Sequence, residues 1–144
     1  MLRPYKPLDL PDVLATWYEA SIVAHSFLPE EFLEAERDQI ASVWMPMADV
    51  TVFEKAGRVV GFVAMIDNEV GGLFVHPDFQ GEGIGRVLLD RATASRDYVE
   101  LDVFEANQIG RRFYDAYGFR QIDRHISDAT GHSELRLRFE PKVD

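Results

Sequence analysis

The stretch with the clearest chemical content is Gln80-Gly-Glu-Gly-Ile-Gly-Arg86, set between a strand-like segment and a helix-like one. Glycines leave backbone N–H groups uncovered, and a helix beginning there adds the partial positive charge of its N-terminus. Together they suit a phosphate or pyrophosphate, to which Arg86 at the mouth would add a charge-assisted contact. Two other phosphate motifs are excluded. A P-loop requires Gly-Lys-Ser/Thr, whereas Gly85 is followed by Arg86 and Val87. The dinucleotide pattern G-x-G-x-x-G fails from Gly81, where its last position is Arg86, and from Gly83, where it is Leu88. On these residues alone, a glycine-rich turn without a ligand stays open.

The chain around that loop has 144 residues, 47% of them hydrophobic, enough for one compact domain spanning 1–144 with its own core. Cysteine is absent, which excludes disulfides, thiolate nucleophiles and Cys-ligated metal centres. With 15 basic against 25 acidic side chains the net charge is −10, which argues against nucleic acid or an anionic membrane as partner. No apolar run is long enough for a membrane helix, and Met1-Leu-Arg-Pro-Tyr-Lys6 lacks the apolar core of a signal peptide. A cytoplasmic location is expected.

Local signals order the elements. Leu2–Tyr5 suits a short strand, and Asp9-Leu-Pro-Asp12 a helix entry with Asp9 as N-cap. Leu10, Val13, Leu14, Trp17 and Ile22 form its apolar stripe. Pro29 opens a second helix burying Phe32, Leu33, Ile40 and Val43, and Met45-Pro-Met47 ends it. From residue 49 the apolar period changes to two. Strands are expected from Val50, over Val59–Ile66 and over Glu69–Val75, the last with Gly71 and Gly72 marking a bulge or close backbone approach. A helix follows the glycine loop to about Ser95, then a strand over Tyr98–Phe104. Asn107 caps a helix with Ile109, Phe113 and Ala116 on one face, Gly118 ends it, and a hairpin closes the chain. The order is β-α-α-β-β-β-α-β-α-β-β, an α/β (α+β) domain.

Three features together carry a family resemblance: the strand end Leu73-Phe-Val-His-Pro77, the Gln80-x-x-Gly83-x-Gly85 loop, and Asn107…Phe113-Tyr114…Gly118-Phe119. In this order and spacing they resemble the GNAT superfamily of N-acetyltransferases, in particular its small single-domain bacterial members. The resemblance implies a mixed, mostly antiparallel central sheet flanked by about four helices, with acetyl-CoA as acyl donor. It further implies that the backbone of Leu73, Phe74 and Val75 pairs with the pantetheine arm. Gln80, Gly81, Glu82, Gly83, Ile84, Gly85 and Arg86 would hold the pyrophosphate. Asn107 would contact the pantetheine arm, and Tyr114 would sit near the thioester sulfur.

Acetyl transfer to an amine needs a neutral nucleophile, a donor for the developing oxyanion and a proton for the leaving thiolate. A phenol suits the last task, so Tyr114 is the expected general acid, with Tyr117 structural. The resemblance implies Asp102, five residues before Asn107, as the first candidate for the base, since peptide-acetylating members of the family have an acidic residue proposed as base at that position; Glu69 at the start of the preceding strand is the second. Either carboxylate could instead be the partner of an arginine. His25 is a candidate for orienting the acceptor or serving as base. Trp17 and Trp44 are expected in the core, and nothing pairs His125 or His132 with a third ligand, so no metal is expected. The acceptor would be a small amine, an amino acid, or a protein lysine or N-terminus. Homodimers are common among such proteins. The Glu30/Glu31/Glu34/Glu36 group reads as a solvated helix face or an attractor for a cationic amine. A non-catalytic acyl-CoA-binding regulatory module is the alternative, and a structural domain reusing the fold a third.

Overall fold

Period-two alternation after residue 49 produces the central sheet, which the computed structural model describes within residues 1–141. The last three positions of the expected 1–144 domain lie outside the described residues. The strands are β1 (Leu2–Pro4), β2 (Asp49–Lys55), β3 (Arg58–Ile66), β4 (Glu69–Val75), β5 (Val99–Phe104), β6 (Arg120–Ile126) and β7 (Ser133–Phe139). They run in the order β1-β2-β3-β4-β5-β7-β6. Only β4 and β5 are parallel; every other neighbouring pair is antiparallel. The helices are α1 (Leu10–Ala24), α2 (Glu30–Gln39), α3 (Met45–Met47), α4 (Ile84–Thr93) and α5 (Gln108–Tyr117). Since α3 is the last turn of the second helical stretch, the element order and the mixed sheet agree with the sequence reading.

A separate core covers each face of the sheet. Ile84, Leu88, Leu89 and Ala92 of α4 pack on Val60, Val63, Leu101 and Val103, while Val13, Trp17, Leu33 and Met45 pack on Val52, Val59 and Phe62 across the sheet. β3 feeds both cores, which explains its unbroken apolar sequence. At Gly61 a Cβ would come within 3.1 Å of Ile84 and 3.2 Å of Leu88, so glycine there lets α4 lie directly on the strand.

Four local expectations are corrected. Asp9 precedes α1, but its carboxylate turns back to take two 2.8 Å bonds from Arg3 and one from the Lys6 N–H, pinning β1 instead of capping the helix. Met45-Pro-Met47 does not end the second helix. A π turn over Ile40–Trp44 widens the backbone, and the chain stays helical through Pro46, whose missing N–H and ring are tolerated there. Val43 and Trp44 are exposed, Trp44 at 46%, so neither is core. On α5 the face is not Ile109/Phe113/Ala116. Ile109 is half exposed, and Phe113, Tyr114 and Tyr117 turn inward against Phe119 and Phe139, because aromatic rings bury more area than Ile or Ala.

Candidate active site

A gap in the sheet sets the site. β4 and β5 share a single paired position, Glu69 with Glu100, and then separate. Just beyond, β4 carries one residue more than β3: Ala64 faces Gly72 while Met65 faces Val70, leaving Gly71 as the bulge that the paired glycines announced. Past the bulge the His76 N–H donates to the Val60 carbonyl at 2.8 Å, so that position points at β3. Alternation then turns the main chain of Phe74 to β3 as well and that of Leu73 and Val75 into the gap.

The glycine loop closes the end of this gap. Gln80 Nε2 donates to the Val75 carbonyl at 3.0 Å, tying the loop to the strand. Gly81 and Gly83 both have φ of +84°, a conformation that costs other residues strain, and a Cβ at either would meet nothing within 4 Å. Among the described residues, none of the six successive N–H groups from Gly81 to Arg86 donates to a protein acceptor. Three belong to the first turn of α4, where no intrahelical partner exists. The result is an open row of donors at a helix N-terminus. Arg86 lies over the Tyr117 ring at 5.7 Å and has no ion-pair partner among the described residues, whereas Glu82 is held by Lys55.

On the far side of the gap, Asn107 links two helices. Its Oδ1 accepts from the Gly110 N–H at 2.9 Å, capping α5, which leaves Nδ2 facing His25 Nε2 at 3.3 Å. The amide donates, so the imidazole accepts at Nε2 and carries its proton on Nδ1. Burial pulls the His25 pKa down to about 4, and Phe27 and Phe104 meet the ring edge-on. Gly110 is part of this arrangement: a Cβ there would lie 2.6 Å from Asn107 Nδ2.

Tyr114 packs between Phe113 and Phe119, each at 5.3 Å between ring centroids, and its hydroxyl has no protein partner among the described residues. Burial raises its pKa, so the phenol keeps its proton throughout the neutral range. Tyr117 differs. Its hydroxyl donates to Asp90 at 2.7 Å and lies 3.3 Å from Thr93, the bonding of a structural residue.

One guanidinium gathers the candidate carboxylates. Arg136 donates to Glu69 through both terminal nitrogens, to Glu100 at 3.1 Å, and lies 3.4 Å from Asp102. The hairpin register places His125 opposite Glu134, and His125 Nε2 is 3.2 Å from Glu134 and 3.8 Å from Asp102. The expectation that nothing pairs His125 with further ligands is therefore corrected: ligand atoms of Asp102, His125 and Glu134 lie within 4.8 Å of one another. Arg136 joins the same group through Asp102, so a guanidinium already lies beside one of its two acids. His132 packs instead on Phe27 at 4.8 Å.

A continuous cleft of about 900 Å³ runs past these groups. Of the candidate site residues, Glu69, Leu73, Phe74, Val75, Gln80, Gly81, Gly83, Ile84, Gly85, Arg86, Asp102, Asn107, Tyr114 and His25 border it, and Glu82 does not. Its other wall comes from α1, α2 and the π turn, with Trp17, Phe32, Glu36 and Trp44. Sequence reasoning missed Gly110, Phe104 and the individual place of Glu36. The spacing Asn107-x-x-Gly110 was a usable signal for the first; nothing local distinguished the other two. No helix among the described residues is long and apolar enough to cross a membrane.

Comparison with known proteins agrees with this geometry. A family model described as an acetyltransferase (GNAT) domain matches residues 46–121, slightly more than half of the chain. Peptidyl-lysine N-acetyltransferase YiaC of Escherichia coli is 27% identical over 131 residues, 90% of each chain. The solution structure of apo YjaB from Escherichia coli superposes with a TM-score of 0.85 at 26% identity, covering 96% of this chain and 95% of that one. The PaiA N-acetyltransferase of Thermoplasma acidophilum, solved in complex with coenzyme A, shares the fold with a TM-score of 0.81 at 19% identity, covering 98% of each chain.

Proposed function

The chain belongs to the acetyltransferase (GNAT) domain family, and from that membership we propose that it transfers an acetyl group from acetyl-CoA to a primary amine by direct attack on the thioester. The observation that carries this reading is the row of six amides before and at the start of α4, unpaired among the described residues and opening on a cleft that continues to Tyr114. In an acidic protein, anionic phosphates must be held by such local means. The amides of Gly81–Arg86 and the Arg86 guanidinium bind the pyrophosphate, and the Leu73 and Val75 main chain faces the pantetheine arm across the open edge of β4. Phe74, whose main-chain groups point at β3, contributes through its side chain.

Acetyl-CoA supplies the activated carbonyl; the protein positions it and moves protons. As the amine nitrogen bonds to the carbonyl carbon and the carbon–sulfur bond breaks, Tyr114 donates its phenolic proton to the departing sulfur. Asp102 borders the cleft and receives the amine proton, directly or through water, while Glu69 holds Arg136 in place beside it. His25 orients Asn107 and is a poor base, since its Nε2 lone pair is occupied and its proton affinity is depressed. The lysine specificity named for YiaC and YjaB supports a cationic acceptor.

Calorimetric titration with CoA and a thiol-release assay with acetyl-CoA and a panel of amines test the proposal. Saturable CoA binding with amine-dependent thiol release is expected. CoA binding without thiol release for any amine would instead make the chain an acyl-CoA-binding module, and no CoA binding would overturn both readings.

A further inference from the structure

The cleft is longer than the donor site and ends against α2 in a wall that the mechanism leaves unused. Phe32 and Glu36 of α2 and Ile40 at the start of the π turn recur every four residues, and all border the cleft. In a regular α-helix such a series drifts around the axis. The π turn over Ile40–Trp44 offsets that drift and brings Trp44 to the same wall, with Trp17 and Met45 beside it. The wall is therefore apolar and aromatic, interrupted by one carboxylate.

Among the described residues that carboxylate lacks a counter-charge. The other cleft acids have polar partners, Glu69 and Asp102 sharing Arg136, and Glu134 lying 3.2 Å from His125 Nε2, whereas among the described residues Glu36 has neither a hydrogen bond nor an ion pair. The neighbouring Arg37 points elsewhere, over the Tyr18 ring at 5.6 Å. Burial raises the Glu36 pKa, as it does that of Glu134, so the missing partner and not the shift sets Glu36 apart. A half-buried carboxylate against aromatic rings is uncomfortable alone and is relieved by an incoming cation with an apolar stem, which can lie along Ile40 and Trp44.

We propose that Glu36 and Trp44 form the acceptor-selecting end of the cleft, first capturing as a cation the head of an amine carried on an unbranched apolar stem, which then moves to the thioester and gives its proton to Asp102. This rests on the acetyl-transfer reading and adds the acceptor class and the residues that choose it. Glu36 is here a specificity-determining residue.

The test uses n-hexylammonium chloride as probe, with 1-hexanol and hexanoate as controls of equal stem length, titrated by calorimetry into the CoA-loaded protein at constant ionic strength. Saturable hexylammonium binding is expected, at least about ten-fold tighter than either control. Glu36→Gln should erase that preference and Glu36→Asp should keep part of it, while Trp44→Ala weakens hexylammonium and hexanol alike. Absence of saturable hexylammonium binding, equal affinity for hexanol, or an unchanged preference in Glu36→Gln would each overturn the proposal. CoA affinity is measured separately on every variant, so failure of the donor site is distinguishable from failure of this one. Thermal unfolding of the variants confirms that each is folded.

Discussion

Replacing Tyr114 with phenylalanine removes one oxygen, and the surroundings of that oxygen set the expected result. The ring keeps its contacts with Phe113 and Phe119, and the hydroxyl makes no hydrogen bond to the protein among the described residues, so no internal bond is lost. Stability should change by less than about 1 kcal/mol. Transfer of a proton to the leaving group is typically worth 10²- to 10⁴-fold, roughly 3–5 kcal/mol of barrier at about 1.4 kcal/mol per decade. Tyr114→Phe should therefore lower kcat by about that factor and leave CoA affinity within about two-fold. Tyr117→Phe is the matched control, because it deletes the bonds to Asp90 and Thr93 on the same helix. It should cost about 1 kcal/mol of stability and little activity. Thiol release at saturating acetyl-CoA gives kcat, calorimetry gives CoA affinity, and thermal unfolding gives stability. Since burial raises the Tyr114 pKa, the acid form persists at neutral and mildly alkaline pH, and wild-type kcat should show no alkaline fall from this group up to pH 9. Near-wild-type turnover in Tyr114→Phe, or an equal loss in Tyr117→Phe, would refute the assignment.

Three further outcomes follow from the same packing. His25 titrates at about 4 when folded against 6.5 as its ordinary value, so below pH 6.5 the unfolded chain binds a proton that the native ring refuses. Its contribution is intact above 6.5 and is lost progressively down to about 4, by at most about 3 kcal/mol at about 1.36 kcal/mol per pH unit; urea unfolding at pH 7, 5.5 and 4.5 should show His25→Gln losing less than wild type over that window, and parallel losses would contradict this. Gly110→Ala places a methyl 2.6 Å from Asn107 Nδ2, so it should break the cap and the His25 bond together, costing roughly 1–2 kcal/mol of thermal stability and weakening CoA binding several-fold by calorimetry. Arg136→Gln leaves Glu69, Glu100 and Asp102 facing one another without this cation, and should cost roughly 1–3 kcal/mol at pH 7 in low salt, less in high salt, read as shifts in urea midpoint.

Much of the fold was legible because its signals are local. The bulge at Gly71, the cap at Asn107, the left-handed end at Gly118 and the doubly buried run of β3 all depend on a residue and its near neighbours. The glycine loop was legible for the same reason: positive φ at Gly81 and Gly83 and the bare amides beside them are properties of that stretch. The errors fell where tertiary packing outweighs local pattern. Ile109 and Ala116 hold a helical period, yet the larger aromatic rings one position away win the core. Trp44 is a large apolar residue but lies on a π turn that brings it to the wall of the cleft.

By itself the sequence determined the order of elements and the place of the glycine loop with its open amides, because backbone conformation and helix ends are written in short-range chemistry. Only the tertiary structure decided the ionic relations of the candidate carboxylates. Glu36, Glu69, Asp102 and Glu134 are four acids of similar intrinsic pKa, spread over a hundred residues of chain. Their differences come from which basic side chains the sheet register and the α2 wall bring within 4 Å: Arg136 beside Glu69 and Asp102, His125 beside Asp102 and Glu134, and, among the described residues, none beside Glu36. Electrostatic environment is set by distance in space and by exclusion of water, neither of which is encoded locally along the chain.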